Sequence, residues 1–139
     1  MKDRFNVRGP VSEDPQVKEV AALHVKELAE GDYDAQVAAA ELPVVLDFYA
    51  TESKACDALS PRYAAVAEKF SGRVRFLKVL RAANAALAAR FGVTSTPTLV
   101  FLARGKESAE RLSGGDIKRT ELKARVEAML GRAPAAGPA

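Results

Sequence analysis

Tryptophan is missing from this sequence, and cysteine and histidine occur once each, as Cys56 and His24. A lone cysteine excludes an internal disulfide and any multi-cysteine metal site, and a lone histidine leaves little for a histidine-built metal centre, so no metal and no cofactor are expected. No apolar run has the length needed to cross a bilayer, which argues against a membrane partner. The opening Met1-Lys2-Asp3-Arg4-Phe5-Asn6-Val7-Arg8-Gly9-Pro10 has no apolar stretch that could serve as a secretory signal. The expected compartment is therefore the cytoplasm. A basic block is absent too: 21 Lys and Arg alternate with 18 Asp and Glu, so the net charge of +3 describes a mixed solvated surface and not a nucleic-acid footprint.

What is present suits one folded domain. The 139 residues are 48% hydrophobic, enough for a single core. Residues 1–22, with Gly9, Pro10 and Pro15, read as an N-terminal arm with some helical character, residues 23–131 as the domain, and residues 132–139 as a flexible tail. Between Val17 and Leu28 the pattern suits either one helical face or, from His24, a short strand; a short helix followed by a strand is the reading adopted. Asp32 is placed to cap the next helix, which carries Ala35, Val37, Ala38, Ala39 and Ala40.

Leu42 to Ala50 is a continuous apolar run, entered through Pro43 and interrupted by Asp47, as expected of a central strand covered on both faces. Cys56, Leu59, Tyr63, Val66, Ala67 and Phe70 then recur at helical spacing up to Gly72, with Pro61 inside the helix removing a backbone donor and expected to kink it. Arg73 to Leu80 reads as a strand, Ala82 to Phe91 as an alanine-rich helix ended by Gly92, and Thr98–Leu102 with Ser108–Leu112 as a hairpin turning at Arg104-Gly105-Lys106. The glycine and lysine of that turn lack the spacing of a phosphate loop. A last helix puts Leu122, Val126 and Met129 on one face and stops at Gly131; its charges, among them Lys118, Arg119, Lys123 and Arg125, form a solvated face. Parallel strands joined by helices, followed by an antiparallel hairpin, require a mixed central sheet flanked by helices on both faces, an α/β fold.

The segment from Pro43 to Pro61 resembles the strand, active-site loop and kinked helix of the thioredoxin family. The family pattern has an acid in the strand, an aromatic pair, Trp-Cys-Gly-Pro-Cys, and a proline five residues after the second cysteine; Asp47, Phe48, Tyr49, Cys56 and Pro61 fall at the matching places. Lys78 matches a buried lysine of the family, and Gly92 to Thr98 resembles its signature loop, with Thr96–Pro97 expected to be cis. Gly115 matches the glycine before the last helix. The resemblance covers about residues 24–130 and implies the thioredoxin fold, a redox and electron-transport role as a protein disulfide oxidoreductase, a protein disulfide or extended peptide as substrate, and a thioredoxin reductase as partner.

That resemblance also assigns roles. In the family the first cysteine attacks the substrate disulfide and the second resolves the mixed disulfide. A thiol at a helix N-terminus is favoured as thiolate by the unpaired amides and the macrodipole. Asp47 would take the proton of the resolving thiol, Lys78 would offset the burial of that acid, and the backbone at Thr96 and Pro97 would pair with an extended substrate. Asp47 is expected to be buried with a raised pKa, because desolvation outweighs Lys78. The alternative for Asp47 is an edge or bulge residue, and for Cys56 a small buried hydrophobe.

The departures fall at the chemistry. Ser53 stands at the attacking position, whether naturally or by exchange, Glu52 replaces the tryptophan, and Lys54-Ala55 replaces Gly-Pro. A serine hydroxyl cannot exchange a disulfide and needs a base to ionise; His24, in the first strand, is not placed to be one. Two functions remain: a thioredoxin-like protein of thiol–disulfide exchange with Ser53 at the nucleophile's place, which should not turn over as written, or a redox-inactive module that docks an extended peptide near Pro97.

Overall fold

The computed structural model describes residues 24–132; the arm with its expected short helix, and the tail beyond Arg132, lie outside the described residues. In chain order, strand β1 (Val25–Glu27) leads through a 3-10 turn (Glu30–Asp32) and a π-helical turn (Asp34–Ala38) to strand β2 (Val44–Tyr49). Helix α1 (Lys54–Lys69), strand β3 (Arg75–Leu80) and the short helix α2 (Ala85–Arg90) follow. Strands β4 (Thr98–Ala103) and β5 (Lys106–Ser113) and helix α3 (Arg119–Arg132) complete the described chain.

The apolar run of β2 leaves no polar face, and β2 accordingly lies in the middle of a five-stranded sheet ordered β1-β3-β2-β4-β5. It pairs parallel with β3 and antiparallel with β4, while β1 extends the parallel half and β5 the antiparallel half. The mixed sheet expected from the sequence is therefore present. One face packs Val45, Phe76, Leu99 and Phe101 against Leu59, Tyr63 and Phe70 of the α1 region and Leu122, Val126 and Met129 of α3. The other packs Leu46, Phe48, Leu77, Val79 and Val100 against Leu28, Tyr33 and Val37 on one side and Leu87 and Ala88 of α2 on the other. Each fully buried side chain of this kind stabilises by about 1.5–3 kcal/mol, so the two layers hold the sheet from both sides.

The hairpin turns through Arg104 (φ 53°) and Gly105 (φ 81°), the pair of positive dihedrals that matches the twist of a two-residue connection. A Cβ at residue 105 would meet the Ala38 backbone only at an ordinary contact distance of 3.6 Å, so it is the positive φ that calls for glycine here.

Some boundaries differ from expectation. Asp32 does not cap the helix after it: it ends the 3-10 turn, and the cap position falls to Tyr33, which makes no side-chain cap bond and is held by burial instead. Helix α2 starts at Ala85, not Ala82, because the buried Asn84 ties the chain elsewhere. Its amide donates to the Leu80 carbonyl (2.9 Å) and its oxygen accepts from the Glu30 amide (2.9 Å). The cap of that helix comes from Glu30, whose carboxylate accepts the Leu87 amide at 3.2 Å. Helix α3 runs through Gly131 to Arg132, and β5 begins at Lys106, two residues before the expected Ser108.

Candidate functional site

Three parallel strands place one polar row on the face covered by α1 and α3. Register pairs Glu27 with Lys78 and Lys78 with Asp47, while Leu99 lies opposite Asp47 on β4. The row two residues earlier, Val25, Phe76, Val45 and Phe101, is wholly apolar and buried in that same layer. Residues two apart on a strand share a face, so Glu27, Lys78 and Asp47 point the same way as that apolar row.

Asp47 is 7% exposed, and its Oδ1 has no hydrogen-bond partner among the described residues. Burial pushes its carboxyl up to about 7, against a downward pull from Lys78 and with a further upward push from Glu27. The expected direction and dominant cause both hold.

Lys78 corrects its expectation. Its side chain is 40% exposed instead of buried, with the ammonium 3.9 Å from Glu27 and 5.4 Å from the centroid of the Tyr49 ring. An edge strand as short as β1 leaves that side of β3 open, and the ammonium sits half-exposed over the tyrosine ring, next to Glu27. The Tyr49 hydroxyl donates to both Glu27 oxygens, at 3.0 and 2.8 Å. Burial and this acidic partner hold its ionisation well above the usual phenol range. Neither Glu27 nor the Tyr49 hydroxyl stands out in the sequence; the signal becomes visible once the parallel register is known.

After β2 the chain turns through Glu52, exposed and in the left-handed region at φ 55°, into the first turn of α1. Ser53 has extended dihedrals (φ −121°, ψ 118°), and its Oγ accepts the Cys56 amide at 3.2 Å, while its carbonyl accepts the Asp57 amide at 2.9 Å. That is the geometry of an N-cap, a position at which serine is preferred. The hydroxyl is thus occupied as an acceptor by its own helix.

Cys56 is 8% exposed, and its Sγ accepts the Ala50 amide at 3.4 Å. Lys54 is exposed and Ala55 half-buried beside it. His24 precedes β1 at the opposite end of the parallel strands, where it lines a cavity of about 480 Å³ with Lys26, Gln36 and Arg75. It cannot serve Ser53 as a base.

The loop before β4 lies at the Ser53 end of the sheet, since antiparallel pairing sets Thr98 opposite Phe48 near the end of β2. Thr96–Pro97 is cis, as expected. Pro97 is buried and Thr96 half-buried. The Pro97 carbonyl accepts the Gly114 amide at 3.3 Å and the Ser95 carbonyl accepts the Thr98 hydroxyl at 2.8 Å, whereas the Thr96 backbone makes no hydrogen bond within the described residues. The structure thus brings Asp47 and Lys78 into one row, Ser53, Ala55 and Cys56 into one helical turn, and Thr96 and Pro97 to the same end of the sheet. Among the described residues no cluster of three or more His, Cys, Asp or Glu could hold a metal ion, and no helix is long and apolar enough to cross a membrane.

Comparison with known proteins agrees with this geometry. The family model described as Thioredoxin matches residues 24–128. A thioredoxin of Haemophilus influenzae is 31% identical over 100 residues, covering 72% of this chain and 89% of that protein. Thioredoxin C-3 of Corynebacterium nephridii is 34% identical over 104 residues, covering 75% and 70% respectively. The chloroplastic thioredoxin M4 of Arabidopsis thaliana is 25% identical over 122 residues, 88% of this chain and 62% of that protein. With most of its length matched by the family model and the sheet, first helical turn and proline loop in place, the chain belongs to the thioredoxin family.

Proposed function

We propose that this chain is a thioredoxin-like protein of thiol–disulfide exchange that retains the acid and the docking loop of that chemistry, while Ser53, at the attacking position, caps α1 and takes no part in exchange. The observation that carries the reading is Asp47. A buried carboxyl with an oxygen unpaired among the described residues and a pKa raised to about 7 is costly in a strand that is otherwise apolar, and it suits a proton acceptor working near neutral pH. A structural role would be filled as well by leucine.

The balanced sequence needs two sulfurs. A thiolate at position 53 would attack one sulfur of a protein disulfide, forming a mixed disulfide and releasing the other substrate sulfur as a thiolate. The Cys56 thiol would pass its proton toward Asp47 and attack the mixed disulfide, leaving an internal disulfide and a reduced substrate. With an oxygen at position 53 the first S–S bond cannot form. The proposed partners are protein disulfides or extended peptides meeting the backbone of Thr96, which is unpaired among the described residues, with Glu52, Lys54 and Ala55 on the rim of the site. A thioredoxin reductase is a partner only for the dithiol form, and the proposed compartment is the cytoplasm.

A second reading, a redox-inactive peptide-binding module, is favoured by one observation: the Ser53 hydroxyl is already committed to the Cys56 amide. Insulin reduction driven by dithiothreitol separates the two. The serine form should not exceed the dithiothreitol background, and Ser53→Cys should turn over. Equal rates for the two forms would rule out the dithiol mechanism; a folded but inert Ser53→Cys would favour the binding module.

A further inference from the structure

The row Glu27–Lys78–Asp47 sets one ammonium between two carboxylates on adjacent parallel strands. Symmetric sharing would put the lysine midway between them. Instead it is drawn to the outer acid: Lys78 Nζ lies 3.9 Å from Glu27, makes no ion pair with Asp47, and leaves Asp47 Oδ1 without any partner among the described residues. The outer acid is itself held, because the Tyr49 hydroxyl donates to both Glu27 oxygens while the same ring lies under the lysine ammonium. Tyr49 follows Asp47 by two positions on β2 and shares its face, so a single side chain ties the strand of the acid to the strand that competes for its counter-ion.

We propose that Glu27 is a positioning residue: clamped by Tyr49, it holds the Lys78 ammonium at the β1 edge and off the Asp47 carboxylate. Its consequence is that Asp47 keeps its proton to a higher pH than a buried acid with a committed lysine would. Besides burial, Lys78 and Glu27 are the charges that bear on the Asp47 carboxyl. Opposite Asp47 on β4 lies the apolar Leu99, and the layer on that face is built from Leu122, Val126 and Met129 of α3 and Tyr63 of α1, whose hydroxyl donates to the carbonyls of Val45 and Leu77. Any bearing on thiol chemistry rests on the function proposed above; the protonation of Asp47 does not, and it is the quantity measured.

The experiment is a carboxyl-carbon NMR titration of Asp47 in the full chain, comparing the parent protein with Glu27→Gln, Lys78→Met and the double variant. Glutamine keeps an acceptor for the Tyr49 hydroxyl and removes the charge. The Asp47 midpoint should fall by about 0.5 pH or more in Glu27→Gln, as the released lysine adds its attraction and a like charge is lost. It should rise in Lys78→Met. In the Lys78→Met background Glu27→Gln should have less than half its effect, because the lysine through which it acts is gone. An equal fall in both backgrounds would mean that Glu27 acts only as a direct like charge, and an unchanged or raised midpoint in Glu27→Gln would mean that it does not hold the lysine; either result overturns the proposal. Amide fingerprints check that each variant is folded, and Glu27→Thr, suited to an exposed strand edge, replaces Glu27→Gln if that variant is not.

Discussion

On the face of the sheet covered by α2 and the turns at residues 30–38, Leu46, Phe48, Leu77, Val79 and Val100 meet without a charge among them. The opposite face begins in the same way, with Val25, Phe76, Val45 and Phe101, but its next row carries Glu27, Lys78 and Asp47. The same strands build both faces, so backbone and topology cannot account for the difference. One face serves the fold alone. The other bears a buried acid in the second half of β2, the strand from which the chain passes through Glu52 and Ser53 into α1.

If that division is correct, damage to the apolar face should be large and chemically silent. Leu102→Ala, which empties a 1% exposed site opposite Val44, should destabilise by about 2–5 kcal/mol in denaturant unfolding. The Asp47 titration midpoint should stay where it was. A shifted midpoint would show that the two faces are coupled, and the comparison would fail.

On the other face a substitution should instead stabilise. The native Asp47 carboxyl holds its proton up to about pH 7, whereas the unfolded one loses it from its ordinary 3.8. Between those values the folded state binds more protons than the unfolded state, so stability falls as pH rises through that window and levels off above it. Asp47→Asn should therefore raise stability by about 2 kcal/mol at pH 8, with the gain fading below pH 4. Parallel urea melts at the two pH values measure it. A destabilised variant at pH 8 would mean that the charge is welcomed and not merely tolerated.

The smallest of these effects concerns Ser53. Ser53→Ala removes the acceptor for the Cys56 amide and should cost about 1 kcal/mol, read as a lower melting temperature without change in the Asp47 titration. A neutral substitution would remove the argument that the serine acts as a cap.

Much of this arrangement was legible in the sequence, because the strongest signals are local. The run from Val44 to Tyr49 could only be a covered strand, and the spacing of Leu122, Val126 and Met129 gave one buried helical face. Asp47 stood out as the lone acid in that run, and the serine's capping could have been inferred from its place just before a helical pattern. What escaped depends on partners distant in the chain. The start of α2 is set by Asn84 and Glu30, whose contacts span 54 and 57 residues. The half-exposure of Lys78 follows from a three-residue β1 whose register, not its composition, brings Glu27 beside it.

The most direct test of the account is to measure insulin reduction for three chains in one assay: the parent, Ser53→Cys, and Ser53→Cys combined with Asp47→Asn. The parent should show background rates and Ser53→Cys should turn over. Removing the proton acceptor should then cost the combined variant on the order of a hundredfold. Turnover by the parent, or equal rates for the two Ser53→Cys variants, would contradict the claim that this chain keeps a working acid while its serine only caps a helix.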